Sequence, residues 1–239
     1  TKLDFVDFSQ EKESSLEKWA DAKTRENFQL IDSSLYYFAL FKLNQQEGGF
    51  YFKVHHLVSD AWTMTSVINQ VMEYYWRLVN NVPIPEEAKP SYVDYILKEE
   101  EYINSKRFQA DEEFWYSLFS DMPEEKASLV YSKRNNRSTE AVRKTSVISH
   151  EQLTRINTFC EENKISPFIF FLSTLLCYIG RVTSKNDIIV GIPVLKRANS
   201  KEKNTLGIFV NTVPFRIKID KNQDAITFIQ QVSKEWRSI

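Results

Sequence analysis

A strand pattern that runs directly into a helix pattern constrains this chain more than any other feature. Phe50, Phe52 and Val54 alternate with Tyr51 and Lys53, which is typical of a half-buried β-strand. Apolar residues then recur at three- and four-residue steps, as on an amphipathic helix, at Met64, Val67, Ile68, Val71, Met72, Tyr75 and Val79. The residues between the two patterns are therefore predicted to lie on a turn at the rim of a sheet, where a ligand can reach polar side chains.

The turn carries two of the chain's three histidines, His55 and His56, followed by Asp60. Continued strand alternation predicts that His56 shares the apolar face of Phe52, while His55 points the other way, beside Lys53. Asp60, or the serine before it, is predicted to cap the following helix. An imidazole that faces a cavity can act as a general base, a general acid or a hydrogen-bond anchor. Asp60 is expected to hold the loop through an arginine.

Structural interpretations of the same histidines stay open at this point. A histidine on an apolar strand is more often a hydrogen-bonded core residue than a catalytic one. A zinc site needs three or four converging ligands, and the side chains of adjacent strand residues diverge, so zinc is not predicted. The residues alone mark a candidate site and leave its role open.

The charge and composition of the chain narrow the classes of partner. Lysine and arginine number 31 and aspartate and glutamate 32, so the net charge of −1 predicts neither nucleic acid nor an anionic membrane surface as a partner. The most apolar run, residues 167–179, is too short to span a bilayer and is predicted to be a buried helix. Cys160 and Cys177 lack paired or metal-ligand spacing, which indicates reduced thiols. The N-terminus shows no secretory signal pattern, so a cytoplasmic location is expected.

The order of strands and helices predicts an α/β or layered α+β fold in two similar halves. Residues 123–140 are rich in charge, serine and asparagine, and are predicted to be a linker. This linker would join an N-terminal lobe, residues 1–122, to a C-terminal lobe, residues 141–239.

The predicted elements follow from periodicity and capping residues. In the first half, strands are expected at 3–8, 35–43 and 50–56, a helix capped by Ser9 runs to about residue 27, and further helices begin near residues 62, 92 and 106. In the second half, strands are expected at 142–149, 188–194 and 212–219, with helices beginning near residues 150, 167 and 225. Residues 196–204 are predicted to form a basic, mobile loop.

Three motifs, in order, resemble those of the condensation domains of nonribosomal peptide synthetases. His55–Trp62 resembles the family's HHxxxDG signature, and Tyr92–Tyr95 resembles its YxD-aromatic motif. Gly191–Arg197 and Leu206–Arg216 resemble the GxPVxxR and GxFVNTxxxR elements, of which the second is the more specific. The resemblance covers essentially the whole chain.

The resemblance implies a chloramphenicol acetyltransferase-like fold of two lobes, with the active site at their interface and with this chain incomplete at both ends. It implies peptide-bond formation between a donor aminoacyl or peptidyl thioester and an acceptor amine. Both substrates would be carried on the phosphopantetheine arms of upstream and downstream peptidyl carrier proteins, in a megasynthase that also contains an adenylation domain. No cofactor or metal would be bound directly, and the fragment is not expected to be active alone.

The resemblance also assigns roles to individual residues. The expected catalytic residues are His56, His55 and Asp60, and the expected supporting residues are Arg197, Asn211 and Ala61. Asp60 should pair with Arg197, although an exposed Arg197 in its lysine-rich loop is the alternative. Ala61 stands where the family has glycine. If that position needs a positive φ, alanine costs about 1 kcal/mol; otherwise it adds a methyl group near the site.

Several related functions stay open at the level of sequence. An epimerization domain fits residues 209–212 less well, and a heterocyclization domain would carry aspartates in place of the histidines. A coenzyme A-dependent acyltransferase, an ester-forming domain of the same fold and a non-catalytic carrier-binding module are the remaining alternatives.

Overall fold

The structure is a computed structural model that describes residues 3–12, 14–86, 88–123, 129 and 143–239. Its strands are β1 (Asp4–Asp7), β2 (Tyr36–Lys42), β3 (Gly48–Val54), β4 (Asp187–Val194) and β5 (Asn211–Lys218). Its helices are α1 (Ser14–Arg25), α2 (Ala61–Val79), α3 (Tyr92–Ile103), α4 (Lys106–Leu118), α5 (His150–Glu162), α6 (Pro167–Thr183), α7 (Ser200–Lys203) and α8 (Ala225–Arg237).

The chain packs into two units that interleave in sequence. Unit 1 comprises Thr1–Gln109 and Leu195–Asn211, and unit 2 comprises Ala110–Val194 and Thr212–Ile239. The segment between β4 and β5 therefore belongs to unit 1, although most residues of both strands belong to unit 2. The predicted lobes, 1–122 and 141–239, stay a prediction, and most of the predicted linker, 123–140, lies outside the described residues.

Unit 1 contains a three-stranded sheet. β1 runs parallel to β2, and β2 pairs antiparallel with β3 in the order β1-β2-β3. The rings of Phe38 and Phe52 lie opposite each other in register and stack with centroids 4.3 Å apart. The backbone N–H of Leu43 donates to the carbonyl of Glu47 at 2.9 Å and closes the turn between the strands. The predicted hairpin is confirmed.

Helix α1 covers one face of this sheet through its aromatic residue. The ring of Trp19 meets Phe8 and Tyr51 edge to face, with centroids 5.9 and 5.2 Å away. The prediction that Ser9 caps this helix is wrong, because α1 begins at Ser14. The backbone N–H of Ser9 instead donates to the side chain of Asp7 at 2.8 Å, in a local turn that competes with helix formation.

The main hydrophobic core of unit 2 lies between α6, α8 and the β4–β5 pair. Its fully buried members include Leu176, Ile188, Phe215 and Val232. Pro214 lies inside β5. Within the part of the chain that the structure describes, each strand of this two-stranded sheet has a free edge, which is where proline is tolerated.

Arg216, from the last motif, ties α4 to this sheet within unit 2. Its guanidinium donates to Asp187 Oδ2 at 2.6 Å, to Asp121 Oδ1 at 2.6 Å and to the carbonyl of Leu118 at 3.1 Å. Hydrogen bonds from Lys218 and Arg216 lower the pKa of Asp121 to about 2. This motif residue therefore has a structural role, linking the end of a helix to two strands.

The strand predicted at 142–149 does not form over residues 143–149, which are neither helix nor strand; Val142 lies outside the described residues. Val147 is 91% exposed, so alternation there does not bury one face. A strand needs a hydrogen-bonding neighbour, and none of the described strands pairs with this segment.

No single helix among the described residues is long and apolar enough to cross a membrane. The consecutive pair α5 and α6 passes the same test of length and composition only when taken together, with a bend of 101° between the two helices.

Replacing Ser173 by alanine is expected to stabilise unit 2 by about 1 kcal/mol. Ser173 lies in α6, only 2% exposed, and its hydroxyl has no hydrogen-bond partner among the described residues. An unsatisfied buried hydroxyl costs about 1–3 kcal/mol, and alanine also favours the helix. Hydrogen exchange of the α6 amides measures the change. Ser166→Ala, which removes the N-cap of the same helix, should have the opposite sign, and faster exchange in Ser173→Ala would contradict the prediction.

Candidate active site at the end of β3

Backbone hydrogen bonds hold the start of the loop that joins β3 to α2. The N–H of His55 donates to the carbonyl of Leu35 at 2.8 Å, which extends the β2–β3 pairing by one step. The N–H of Val58 then donates to the carbonyl of His55 at 3.1 Å and forms a tight turn. At the other end of the loop, Asp60 is the N-cap of α2, and its side chain accepts from the N–H of Thr63. The predicted cap is confirmed, and both ends of the loop are held.

His55 and His56 have different surroundings, as strand alternation predicts. The ring of His55 meets Phe28 edge to face at 5.9 Å, and the ammonium of Lys53 lies 4.6 Å from the centre of the Phe28 ring. Nδ1 of His55 accepts the N–H of Leu57 at 3.1 Å, so in this arrangement the ring proton is on Nε2. His55 therefore packs against Phe28 and stabilises the turn through its hydrogen bond with Leu57.

His56 is exposed, and no described residue hydrogen-bonds to its imidazole. The interpretation of His56 as a hydrogen-bonded core residue is therefore wrong. Both ring nitrogens are available to a ligand, while the backbone of the loop is held at each end. Within the described residues, no group of three or more histidine, cysteine, aspartate and glutamate residues is arranged to hold a metal ion.

The carboxylate of Asp60 is buried and accepts five hydrogen bonds. Oδ1 accepts from the N–H of Thr63 at 2.8 Å, and both oxygens lie 3.2 Å from Nη2 of Arg197. Oδ2 also accepts the N–H groups of Phe209 and Val210, at 2.9 and 3.3 Å. Asp60 is only 3% exposed, so these donors replace the water molecules that would hydrate an exposed carboxylate. The pairing of Asp60 with Arg197 is confirmed.

The balance of these contacts decides the charge on Asp60. Burial by itself raises the pKa of Asp60, but hydrogen bonds from Phe209, Thr63 and Arg197 outweigh it and lower the pKa below its ordinary value. A carboxylate with a depressed folded pKa stabilises the fold above its unfolded pKa of about 3.9, and this stabilisation is lost as the pH falls through the folded value. At neutral pH the ion pair is fully formed.

The guanidinium of Arg197 is enclosed by backbone carbonyls. Nη1 donates to the carbonyls of Glu202 and Thr205 at 2.5 and 2.6 Å, and Nη2 donates to the carbonyl of Gly207 at 3.0 Å. The guanidinium carbon lies 3.9 Å from the centre of the Phe209 ring, a cation–π contact. The alternative of an exposed Arg197 is wrong, since its side chain is 0% exposed. The predicted loop also contains the short helix α7.

Surface contacts attach the rest of the 195–211 segment to α2 and α3 within unit 1. Nε1 of Trp62 donates to the carbonyl of Lys203 at 2.8 Å. The ion pairs Lys201–Asp94 and Lys196–Glu99 measure 2.8 and 2.9 Å. The Tyr92–Tyr95 motif has a structural role here, because its aspartate and its first tyrosine both contact this segment.

Thr63, which sequence analysis did not single out, lies at the centre of this arrangement together with Gly207, the glycine of the last motif. The Thr63 hydroxyl donates to the carbonyl of Gly207 at 2.7 Å and accepts the N–H of the same residue at 3.1 Å. Gly207 has φ of +154°, and a Cβ there would run into the ring of Tyr92. The hydroxyl of Tyr92 donates to the carbonyl of Ile208 at 2.6 Å. The glycine in the motif was the only sequence signal for this close packing.

The remaining predicted site residues lie at the edges of the site. Ala61 is the first residue of α2, is exposed and is absent from the described residues with positive φ, so of the two alternatives for this position the one with backbone strain does not apply. Its methyl group therefore only adds bulk next to Asp60. Asn211 is exposed and is the first residue of β5.

Comparisons with known proteins lead to the same family as the motifs. The family model for the condensation domain matches residues 1–239. A plipastatin synthase chain of Bacillus subtilis (strain 168) is 31% identical over 237 residues, covering 99% of this chain and 9% of that protein. A surfactin synthase chain of the same organism is 36% identical over 223 residues, covering 92% of this chain and 6% of that protein. The chain thus spans less than a tenth of these relatives' length.

Solved structures show the same fold. The first condensation domain of the calcium-dependent antibiotic synthetase, in complex with substrate analogue 2a, superposes with a TM-score of 0.81 at 23% identity and covers 99% of this chain and 54% of its own. VibH, a condensation enzyme, gives a TM-score of 0.80 at 20% identity, covering 99% of this chain and 55% of its own. The mixed helix and sheet fold, of the chloramphenicol acetyltransferase type, is confirmed. The chain belongs to the condensation-domain family of nonribosomal peptide synthetases.

Proposed function

We propose that this chain contributes the catalytic loop for amide-bond formation between two carrier-bound substrates. The observation that carries the proposal is His56, an exposed imidazole without a partner among the described residues, on a loop that the buried Asp60–Arg197 pair holds at its far end. An imidazole held in this way can meet a substrate amine without losing a hydrogen bond of its own. The chain's relatives are synthases of plipastatin and surfactin, which supports peptide assembly as the context.

The proposed reaction joins an acceptor amine to a donor thioester. The amine nitrogen attacks the thioester carbonyl carbon, the new C–N bond forms and the C–S bond breaks. One proton leaves the nitrogen and one proton reaches the departing thiolate, so the overall reaction needs neither an oxidant nor a metal. His56 would accept a hydrogen bond from the attacking amine and transfer the proton as the tetrahedral intermediate collapses.

Positioning is expected to be the larger contribution to the rate. Alignment of two tethered reactants can supply about 7–11 kcal/mol, whereas a positioned acid–base group contributes about 10²–10⁴-fold. An α-amino group has a pKa of about 7.7–8.0, so keeping it neutral at pH 7 costs only about 1 kcal/mol. The role of His56 is therefore mainly to orient the amine and to manage one proton.

The substrates in this proposal arrive on the phosphopantetheine arms of upstream and downstream carrier proteins, beside an adenylation domain in the same synthase, in the cytoplasm. The donor and acceptor arms would meet at His56. His55 and Asp60 would contribute through the position of the loop rather than through contact with the substrate, since one is packed on Phe28 and the other is buried.

A comparison of donors tests the proposal. The full-length protein is given an acceptor aminoacyl carrier together with the same acyl group either on a carrier protein or on coenzyme A, and products are identified by mass spectrometry. We expect an amide product from the carrier-bound donor, at a rate at least about 100-fold higher than from the coenzyme A donor. Efficient transfer from coenzyme A, an ester product, or no product from a correctly folded and carrier-loaded protein would overturn the proposal.

A further inference from the structure

The hydroxyl of Thr63 is a junction between the loop of the candidate site and the 207–210 backbone. It makes two hydrogen bonds to Gly207, one to the carbonyl and one from the N–H. It also accepts from Nη2 of Arg197 at 3.1 Å, the same nitrogen that contacts both oxygens of Asp60. Thr63 is 5% exposed, so water does not replace these partners readily.

The loss of this hydroxyl would act on Asp60 through the backbone. The carbonyl of Gly207 would still accept a hydrogen bond from Nη2 of Arg197. The buried N–H of Gly207, however, would lose its acceptor, the Thr63 hydroxyl. The backbone of Gly207 lies close against the ring of Tyr92, since a Cβ at this position would run into that ring. The next residues, Phe209 and Val210, are those whose N–H groups bind Oδ2 of Asp60. A shift at Gly207 therefore reaches the N-cap of α2 and the loop that carries His56.

We propose that Thr63 is a positioning residue for the reaction, whose hydroxyl fixes the 207–210 backbone against Asp60 and so sets the position of His56. The catalytic consequence rests on the proposed function, whereas the positioning itself does not. Displacement of a catalytic group by about 1 Å can lower a rate about 100-fold. The hydroxyl is needed for this role, whereas the methyl group is not, so serine should substitute for threonine.

The test compares Thr63→Val with Thr63→Ser in the full-length protein. We expect Thr63→Val to lower kcat for amide formation by about tenfold to 100-fold, with the KM for each carrier protein unchanged, and Thr63→Ser to stay within about twofold of the parent protein. Thr65→Val is the matched control, because Thr65 lies on the same helix, is exposed and has a hydroxyl whose single hydrogen-bond partner among the described residues is the carbonyl of Ala61. An equal kcat per folded molecule in Thr63→Val and the parent would overturn the proposal.

A second readout measures the positioning without catalysis. Hydrogen exchange at the amides of Gly207, Phe209 and Val210 should be faster in Thr63→Val than in the parent and unchanged in Thr65→Val. If Thr63→Val does not fold, Thr63→Ala is measured in its place. Unchanged exchange at these three amides would overturn the proposal even if no amide product is detected. A different result would be faster exchange in Thr63→Val together with no amide product from the parent protein. That result would contradict the proposed function and would leave the positioning role of Thr63 supported.

Discussion

Replacing His56 by alanine is expected to lower the rate of amide formation by about 10²–10⁴-fold, with folding unchanged. The imidazole is exposed and makes no hydrogen bond to the described residues, so its removal leaves no buried group unsatisfied. The remaining activity comes from alignment of the two carrier-bound substrates, which the variant keeps. Single-turnover kinetics with preloaded carriers measure the chemical step, and circular dichroism and carrier binding report the fold.

The third histidine supplies the control for this substitution. His150 is exposed and begins α5, in unit 2, so His150→Ala should leave the rate within about twofold of the parent value. A rate for His56→Ala within tenfold of the parent would show that the imidazole neither orients the amine nor transfers the proton. Complete loss of activity, with normal folding and carrier binding, would instead show that proton transfer outweighs alignment.

Replacing Arg197 by methionine is expected to destabilise the domain by about 3–5 kcal/mol, the usual result of removing one partner from a buried ion pair. The carboxylate of Asp60 would remain buried with one fewer donor group, and the carbonyls of Glu202 and Thr205 would lose theirs. Lysine should not rescue the variant, because it has a single nitrogen where both Nη1 and Nη2 of arginine are engaged. Hydrogen exchange of the α2 and 195–211 amides in the full-length protein measures the loss.

Lys196 provides a matched control from the adjacent position. Its ion pair with Glu99 lies at the surface, with side chains 39% and 35% exposed, so Lys196→Met should change stability by less than about 1 kcal/mol. The double variant Asp60→Asn with Arg197→Met should be less destabilised than the sum of the two single variants, since the unpaired charge is gone. Equal effects of Lys196→Met and Arg197→Met would contradict the buried role of Arg197.

The elements that sequence analysis predicted well are those set by residues close together in the chain. The alternation of residues 50–56 placed His55 beside Lys53 and apart from His56, and the structure confirms the hairpin and shows His55 and Lys53 together at the ring of Phe28. The N-cap Asp60 was visible in the sequence because it accepts from a backbone N–H only three residues away. The pairing of Asp60 with Arg197 was anticipated by family resemblance and not by any local pattern.

Predictions from local patterns were wrong where a tertiary contact or a competing turn determines the local structure. Ser9 is a good capping residue, but its N–H is used in a turn with Asp7, and α1 begins five residues later. The alternation at 143–149 forms no strand because no described strand pairs with it. The lysines around Arg197 suggested a solvated loop, yet the arginine itself is buried among carbonyls.

By itself, the sequence determined the family, most of the elements and the loop that carries His56, because periodicity, caps and motif spacing depend on near neighbours in the chain. Only the tertiary structure decided that Thr63, Gly207 and Asp60 form one network, since Thr63 and Gly207 are 144 positions apart and a hydroxyl inside a helix gives no sign of its partner. The physical reason is that a buried hydrogen bond depends on which backbone groups are brought within about 3 Å and shielded from water, and that is settled when the segments pack.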